Sequence, residues 1–181
     1  MKPNEIRKIS KAMSLALRHK PSLFKLEVDR SGWCDVENLI TQFNKKGIPL
    51  DRSMLEVIVS QNDKKRFTFS TDNKKIRANQ GHSIPVDLEM EAIPPPTVLY
   101  HGTASRFVGS IKSQGLLKQK RNHVHLSDNL DTATQVGQRH GVPVILHIDA
   151  ARMYEEGYLF YQSLNKVWLT DHVPVRYITI P

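Results

Sequence analysis

The chain has 181 residues, with 26 Lys and Arg against 18 Asp and Glu, a net charge of +8 and a sequence pI of about 9.6. That length admits one domain or two small ones, and the basic balance favours a polyanionic partner such as nucleic acid over an acidic protein surface. A lone cysteine, Cys34, excludes an intramolecular disulfide and any Cys-built zinc or iron–sulfur site, and it suits a reducing cytoplasm.

No signal-peptide h-region follows Met1-Lys2-Pro3-Asn4-Glu5, and no segment approaches the roughly 20 apolar residues that span a bilayer. A cytoplasmic protein without a membrane partner is expected. Ile6, Ile9, Met13, Ala16 and Leu17 carry a helical period that stops before Pro21, which puts Arg18 and His19 on the last turn. A second helix is predicted from Val36 to Lys46, capped by Asp35, with Leu39, Ile40 and Phe43 inward and Gly47 past its end. A third, from Arg52 to Gln61, is capped by Asp51 and turns Leu55 and Ile58 inward.

The period then changes to alternation: Phe67 and Phe69 share a strand face, Thr71-Asp72-Asn73 makes a turn, and Ile76 begins a return strand. Three helices and a basic hairpin predict a winged-helix domain over residues 1–83, a scaffold that binds nucleic acid in some proteins and mediates protein contacts in others. Residues 84–97, with Pro85 and the run Pro94-Pro95-Pro96, are read as a stiff linker.

Residues 98–181 alternate strands and short helices, which predicts an α+β domain: strands Val98 to His101, His123 to Ser127, Pro143 to Asp149, Val167 to Thr170 and Val175 to Ile180, with helices near Ser105 to Gln114 and Leu130 to Arg139.

The strand Val98-Leu99-Tyr100 runs into His101-Gly102-Thr103, placing a glycine between two polar side chains where a strand ends, a common way to build a site on a sheet rim. His123 and His125 share one strand face, but no HExxH, second cysteine or carboxylate pair completes a zinc set, so hydrogen bonding to a ligand is the better use and no metal is expected. Gly137-Gln138-Arg139-His140-Gly141 lacks the spacing of a Rossmann fingerprint and the ending of a P-loop.

Taken with Leu17-Arg18-His19-Lys20-Pro21, Asp63-Lys64-Lys65-Arg66-Phe67, Ser31-Gly32-Trp33, Gln80-Gly81-His82-Ser83 and Asn165-Lys166-Val167-Trp168-Leu169-Thr170, these segments resemble the NAD-dependent RNA 2′-phosphotransferase family (Tpt1/KptA) over nearly the whole chain. The resemblance implies that the second domain is an ADP-ribosyltransferase-like split β-sheet that binds NAD as co-substrate. His101 and Thr103 would grip the ribose, the Gly102 backbone the carboxamide, and His125, Ser127, Arg139 and His140 would complete the NAD site. It assigns Arg18, His19, Arg66 and Arg121 to catalysis at the phosphate. Protein-modifying relatives carry a Glu on a later strand, whereas Gln162 to Trp168 offers no acid here. A phosphate monoester is largely a dianion at neutral pH and needs no base to attack.

The implied reaction removes an internal 2′-phosphate from RNA of the tRNA splice-junction type. The phosphate first attacks NAD with loss of nicotinamide; the ribose 2″-hydroxyl then takes the phosphorus, leaving 2′-OH RNA and ADP-ribose 1″,2″-cyclic phosphate. Arg18, Arg66 and Arg121 would offset charge while His19 protonates the leaving RNA oxygen. The rival readings are an ADP-ribosyltransferase that caps nucleic-acid phosphates and a non-catalytic winged-helix nucleic-acid-binding module. A monomer is expected.

Overall fold

The computed structural model describes residues 2–181 as mixed helix and sheet, in two compact units, residues 1–89 and 90–181. Among the described residues no helix is long and apolar enough to cross a membrane.

In the first unit α1 (Pro3–Arg18) starts with the Glu5 carboxylate accepting from the Lys2 amide at 2.8 Å, the returning half of a capping box. It buries Ile9, Met13, Ala16 and Leu17, the inward stripe read from the sequence. The chain breaks at His19 and turns through a short 3-10 helix, Pro21–Phe24. Strand β1 (Cys34–Asp35) leads into α2 (Val36–Lys45), and α3 is Arg52–Ser60. Asp35 and Asp51 each accept a 2.8 Å bond from the amide three residues on, Asn38 and Met54, so both predicted caps form.

Strands β2 (Phe67–Phe69) and β3 (Lys75–Ala78) pair antiparallel, and β1 adds to the free edge of β3 with Cys34 opposite Ile76. The sequence predicts only the hairpin, because two residues are too few to show a period. Leu17, Leu39, Phe43, Leu55, Ile58 and Ile76 are sealed from solvent in this unit's core, each worth about 1.5–3 kcal/mol of burial.

Residues after β3 fold back on the same unit: the Asn79 amide donates to the Arg66 carbonyl at 2.8 Å, that of Ser83 to Arg18 at 2.9 Å and that of Asp87 to Arg30 at 2.8 Å. The Ile93 amide instead donates to the Phe160 carbonyl of the second unit at 2.8 Å, so the proline-rich stretch is divided between the two units. His82 lies in the first of these segments at 2 % exposure, against Gly32. Burial, then the charges of Arg18, His19 and Arg77, push its pKa down to about 4.

The second unit is built on β4 (Val98–Ala104), which pairs along its whole length with β7 (Pro143–Asp149), His101 facing Leu146; β11 (Ile178–Thr179) lies on the far edge of β7. A second sheet has the order β6 (Val124–Leu126), β9 (Trp168–Thr170), β8 (Tyr161–Gln162). A backbone bridge between Tyr100 and Ser127, with bonds of 2.7 and 2.9 Å, links it to β4. Strands β5 (Leu116–Leu117) and β10 (His172–Val173) form a small pair; α5 (Leu130–Gln138) packs on β4 and β7, α6 (Ala150–Glu155) on β4, and α4 (Val108–Gln114) beside the 3-10 turn at Val175–Tyr177.

Two predicted elements differ in detail. The first half of the expected strand from Val175 is a 3-10 turn, Val175–Tyr177, started by Pro174 with its fixed φ, and the helix expected from Ser105 opens with a 3-10 turn over Ser105–Phe107. Helix α6 and strand β8 are absent from the sequence prediction.

The face of β4 that carries Tyr100, Gly102 and Ala104 packs on α5. A Cβ on Gly102 would lie 1.7 Å from the Ala133 carbonyl oxygen, and one on Gly137 would lie 2.8 Å from the Thr103 carbonyl oxygen. Gly102 is therefore required by the helix behind the strand.

Three outcomes follow for stability. Gly102→Ala must displace α5 and is expected to cost about 3 kcal/mol or more in denaturant unfolding. Gly109→Ala, in the exposed interior of α4 with nothing within 4 Å of its new methyl group, should be neutral or gain up to about 1 kcal/mol. His82 is neutral in the folded chain but takes a proton once unfolded below pH 6.5. Its contribution is thus fully present above that pH and is lost as pH falls towards 4, on the order of 3 kcal/mol in all. His82→Leu should remove that part of the pH slope, measured as unfolding free energy at pH 4.5 and 7; an unchanged slope would refute the assignment.

Candidate active-site residues in the two units

The C-terminal end of α1 carries two of the predicted residues, Arg18 and His19. Arg18 ends the helix half-buried, with its guanidinium 6.0 Å from the Phe67 ring centroid and 3.5–3.7 Å from where a Cβ on Gly81 would stand. Gly81 has φ +89, a left-handed conformation that glycine adopts without strain. His19, exposed at the helix cap, bonds the Ser83 hydroxyl through Nδ1 at 2.9 Å. Arg66 immediately precedes β2: its carbonyl is tied to Asn79 at 2.8 Å and its guanidinium donates to the Asn62 side-chain oxygen at 3.4 Å.

The sequence reading leaves His82 and Arg77 outside the site, yet both border this cluster. Arg77 lies over the Trp33 ring at 4.3 Å and donates to the Ser31 carbonyl at 3.1 Å, while burial lowers its pKa. The Nε2 of His82 is buried with no hydrogen-bond partner among the described residues. The signal was present in Gly81-His82-Ser83, but these residues form a loop, where periodicity reports nothing about burial. The result is a buried neutral imidazole that feels the charges of Arg18, His19 and Arg77.

In the second unit, His101 and Thr103 lie on the face of β4 opposite α5, the face that is apolar core at Leu99 and, on β7, at Leu146 and Ile148. That face turns polar at the end of the strand. His101 Nδ1 bonds the His125 carbonyl oxygen at 2.9 Å; since a carbonyl only accepts, Nδ1 carries the proton and Nε2 is left as an acceptor. Burial is the largest cause holding the His101 pKa below its usual value, aided by the charges of Arg121 and His140 and opposed by the bond to His125.

Arg121 is exposed on the loop before β6. Arg139 and His140 are exposed just past the end of α5. Ser127 is committed to a turn, its hydroxyl donating to the Asn129 carbonyl and accepting from the Asn129 amide, each at 3.0 Å, where Asn129 caps α5. Of the predicted residues, the geometry groups His101, Gly102, Thr103 and His125, with Arg121 and His140 close enough to act on His101 through their charge. It gives Ser127 a structural task. Cys34 is buried with its thiol pushed up to about 12, first by burial, so it is no nucleophile at neutral pH. Among the described residues no three His, Cys, Asp or Glu side chains are grouped to hold a metal.

A family model described as RNA 2′-phosphotransferase, Tpt1/KptA family, matches residues 4–172. A protein of Pseudomonas fluorescens named "Probable RNA 2′-phosphotransferase" is 51% identical over 179 residues, covering 98% of both chains. One of Flavobacterium johnsoniae with the same name is 49% identical over 178 residues, again covering 98% of both, and one of Acaryochloris marina is 49% identical over 173 residues, 96% of both. A match of this length and identity embraces both units, and the chain belongs to the RNA 2′-phosphotransferase, Tpt1/KptA family.

Proposed function

We propose that the protein is an RNA 2′-phosphotransferase that transfers an internal RNA 2′-phosphate to NAD. The products are 2′-OH RNA, nicotinamide and ADP-ribose 1″,2″-cyclic phosphate, formed by way of ADP-ribosylated RNA. The observation that carries this reading is the placing of Arg18 and His19 at the end of α1 against Phe67, Gly81 and Ser83, with Arg66 adjoining Phe67 in the chain. Arginine forks match a phosphate dianion in both charge and shape. Family membership and the names of the relatives support the same substrate.

On this reading the first unit is a winged-helix domain and the second an ADP-ribosyltransferase-like split sheet. The three helices with the β1–β3–β2 sheet support the first identity, and the two sheets linked at Tyr100 and Ser127 support the second. NAD, as co-substrate, supplies an electrophilic ribose carbon with a neutral leaving ring and a neighbouring hydroxyl that can take the phosphorus. The residues fit that partner: a neutral His101 with Nε2 as acceptor suits a ribose hydroxyl, and buried Thr103 adds a polar group beside it. The family resemblance assigns phosphate contacts to Arg18 and Arg66 and, on the other unit, to Arg121, whose charges would offset that of the phosphate as bonds to phosphorus form and break. His19, held at Nδ1 by Ser83, donates a proton from Nε2 to the departing RNA 2′-oxygen. A phosphate-rich nucleic acid and NAD are the partners, with tRNA processing in the cytoplasm as the setting.

Arg18→Ala, Arg66→Ala and Arg121→Ala should each lower kcat/KM for 2′-phosphorylated RNA by about tenfold to a hundredfold, the loss of 1.5–3 kcal/mol expected for a charge-assisted contact. Circular dichroism checks that Arg18→Ala keeps its fold, since that side chain also packs on Phe67. Parental rates in all three would disprove the phosphate site. His19→Ala should slow the second step more than the first, so ADP-ribosylated RNA accumulates on a gel; a variant that stalls before releasing nicotinamide would make His19 a binding residue only.

A further inference from the structure

A pocket on the second unit, unused by the reaction above, has the composition of a nucleotide site. Its walls come from His123, Leu159 and Tyr161, with Gly157 at one end and Asp171 at the rim. The His123 and Tyr161 rings stand 5.8 Å apart at 60°, forming a wedge between half-buried aromatic faces. Leu159 is 55% exposed, and a Cβ on Gly157 would meet nothing within 4 Å, so the pocket opens to solvent on that side. Its wall is fixed by the Thr170 hydroxyl, which donates to the Leu159 carbonyl at 2.9 Å.

Position and charge indicate the occupant. In the register of the second sheet His125, Leu169 and Tyr161 stand side by side on one face, and His123 continues that face by the period of two. The pocket therefore shares its sheet face with His125. The loop running into it carries exposed Lys118, Lys120 and Arg121, with Lys118 bonded to Asp171 at the rim at 2.6 Å. Aromatic faces beside a row of cations offer a surface for a flat ring joined to a phosphate. Burial, with Lys118 adding and Asp171 opposing, lowers the pKa of His123 and favours the neutral ring.

We propose that this pocket holds the base of a nucleotide flanking the 2′-phosphorylated residue of single-stranded RNA, stacked on Tyr161 with His123 at its edge, while Lys118 and Lys120 face the backbone phosphates. The inference rests on the RNA 2′-phosphotransferase reading and adds a substrate subsite to it. It makes the enzyme sensitive to a base that takes no part in the chemistry.

The test uses the full chain, saturating NAD and short RNAs with one internal 2′-phosphate, whose neighbouring nucleotides carry a base or are abasic on either side in turn. An abasic site on one flank should raise the KM for RNA about tenfold. Tyr161→Leu, which keeps apolar bulk and loses the aromatic face, should raise the KM for base-bearing RNA about as much and no longer distinguish it from abasic RNA. Tyr161→Phe should behave as the parent, and the KM for NAD should not move in either variant. A Tyr161→Leu effect confined to the KM for NAD would place the dinucleotide's own base there and overturn the proposal, as would parental RNA kinetics in that variant. If the parent transfers no phosphate from any of these RNAs, the underlying reading falls and the shelf with it; an active parent with an unaffected Tyr161→Leu removes the shelf alone.

Discussion

Between β4 and α5 no side chain intervenes at Gly102 and Gly137, and the backbones of strand and helix meet directly. This approach decides which way β4 faces. With the glycine side given to the helix, His101 and Thr103 must project from the other face, beside Leu146 and Val144 of β7. The pairing of β4 with β7 along seven positions then holds that orientation, since a slip of one residue would turn every side chain over. A binding surface made of single polar groups at a strand end needs this rigidity, because a side chain misplaced by about 1 Å loses much of its catalytic value.

The two units treat charge differently. The first sets Arg18, His19 and Arg77 around a buried histidine, with Arg18 packed on the Phe67 ring and Gly81 and Arg77 lying over Trp33 and donating to the Ser31 carbonyl. Carboxylates sit instead at helix caps and on surface ion pairs such as Lys75 with Asp29, where their effect on stability is small. Like charges gathered in this way repel one another and oppose the stability of the unit that holds them. The second unit keeps His101 and His123 biased to the neutral form by burial, which suits hydrogen bonding and stacking.

What could be read from the sequence follows from how far each signal reaches. Helices α1, α2 and α3 were legible because their inward residues repeat and Asp35 and Asp51 mark their starts; β4, β7 and α5 were legible as apolar strands and a period between turn residues. Strand β1 was not, since its two residues acquire their conformation by pairing with β3. The glycine of His101-Gly102-Thr103 reads in the sequence as a place where a ligand nears the backbone, whereas the group the fold brings against it is the backbone of α5. The site residues were recognisable as motifs, and the sequence contained the arginines without their packing. His82 shows the limit most clearly: a histidine in a loop between glycine and serine belongs to no period that reports burial, and only tertiary contacts remove it from water.

The bridge between Tyr100 and Ser127 joins the two sheets of the second unit through a single residue pair, while each sheet is bonded internally along its strands. Mechanically that is a seam, and the bond from His101 Nδ1 to the His125 carbonyl is a further stitch across it. The proton that closes the stitch is the one that fixes the acceptor character of Nε2. Opening the seam would free the ring to exchange its proton between nitrogens, so the stiffness of the joint and the hydrogen-bonding identity of His101 are one property of the molecule, set by a few atoms at the place where the sheet divides.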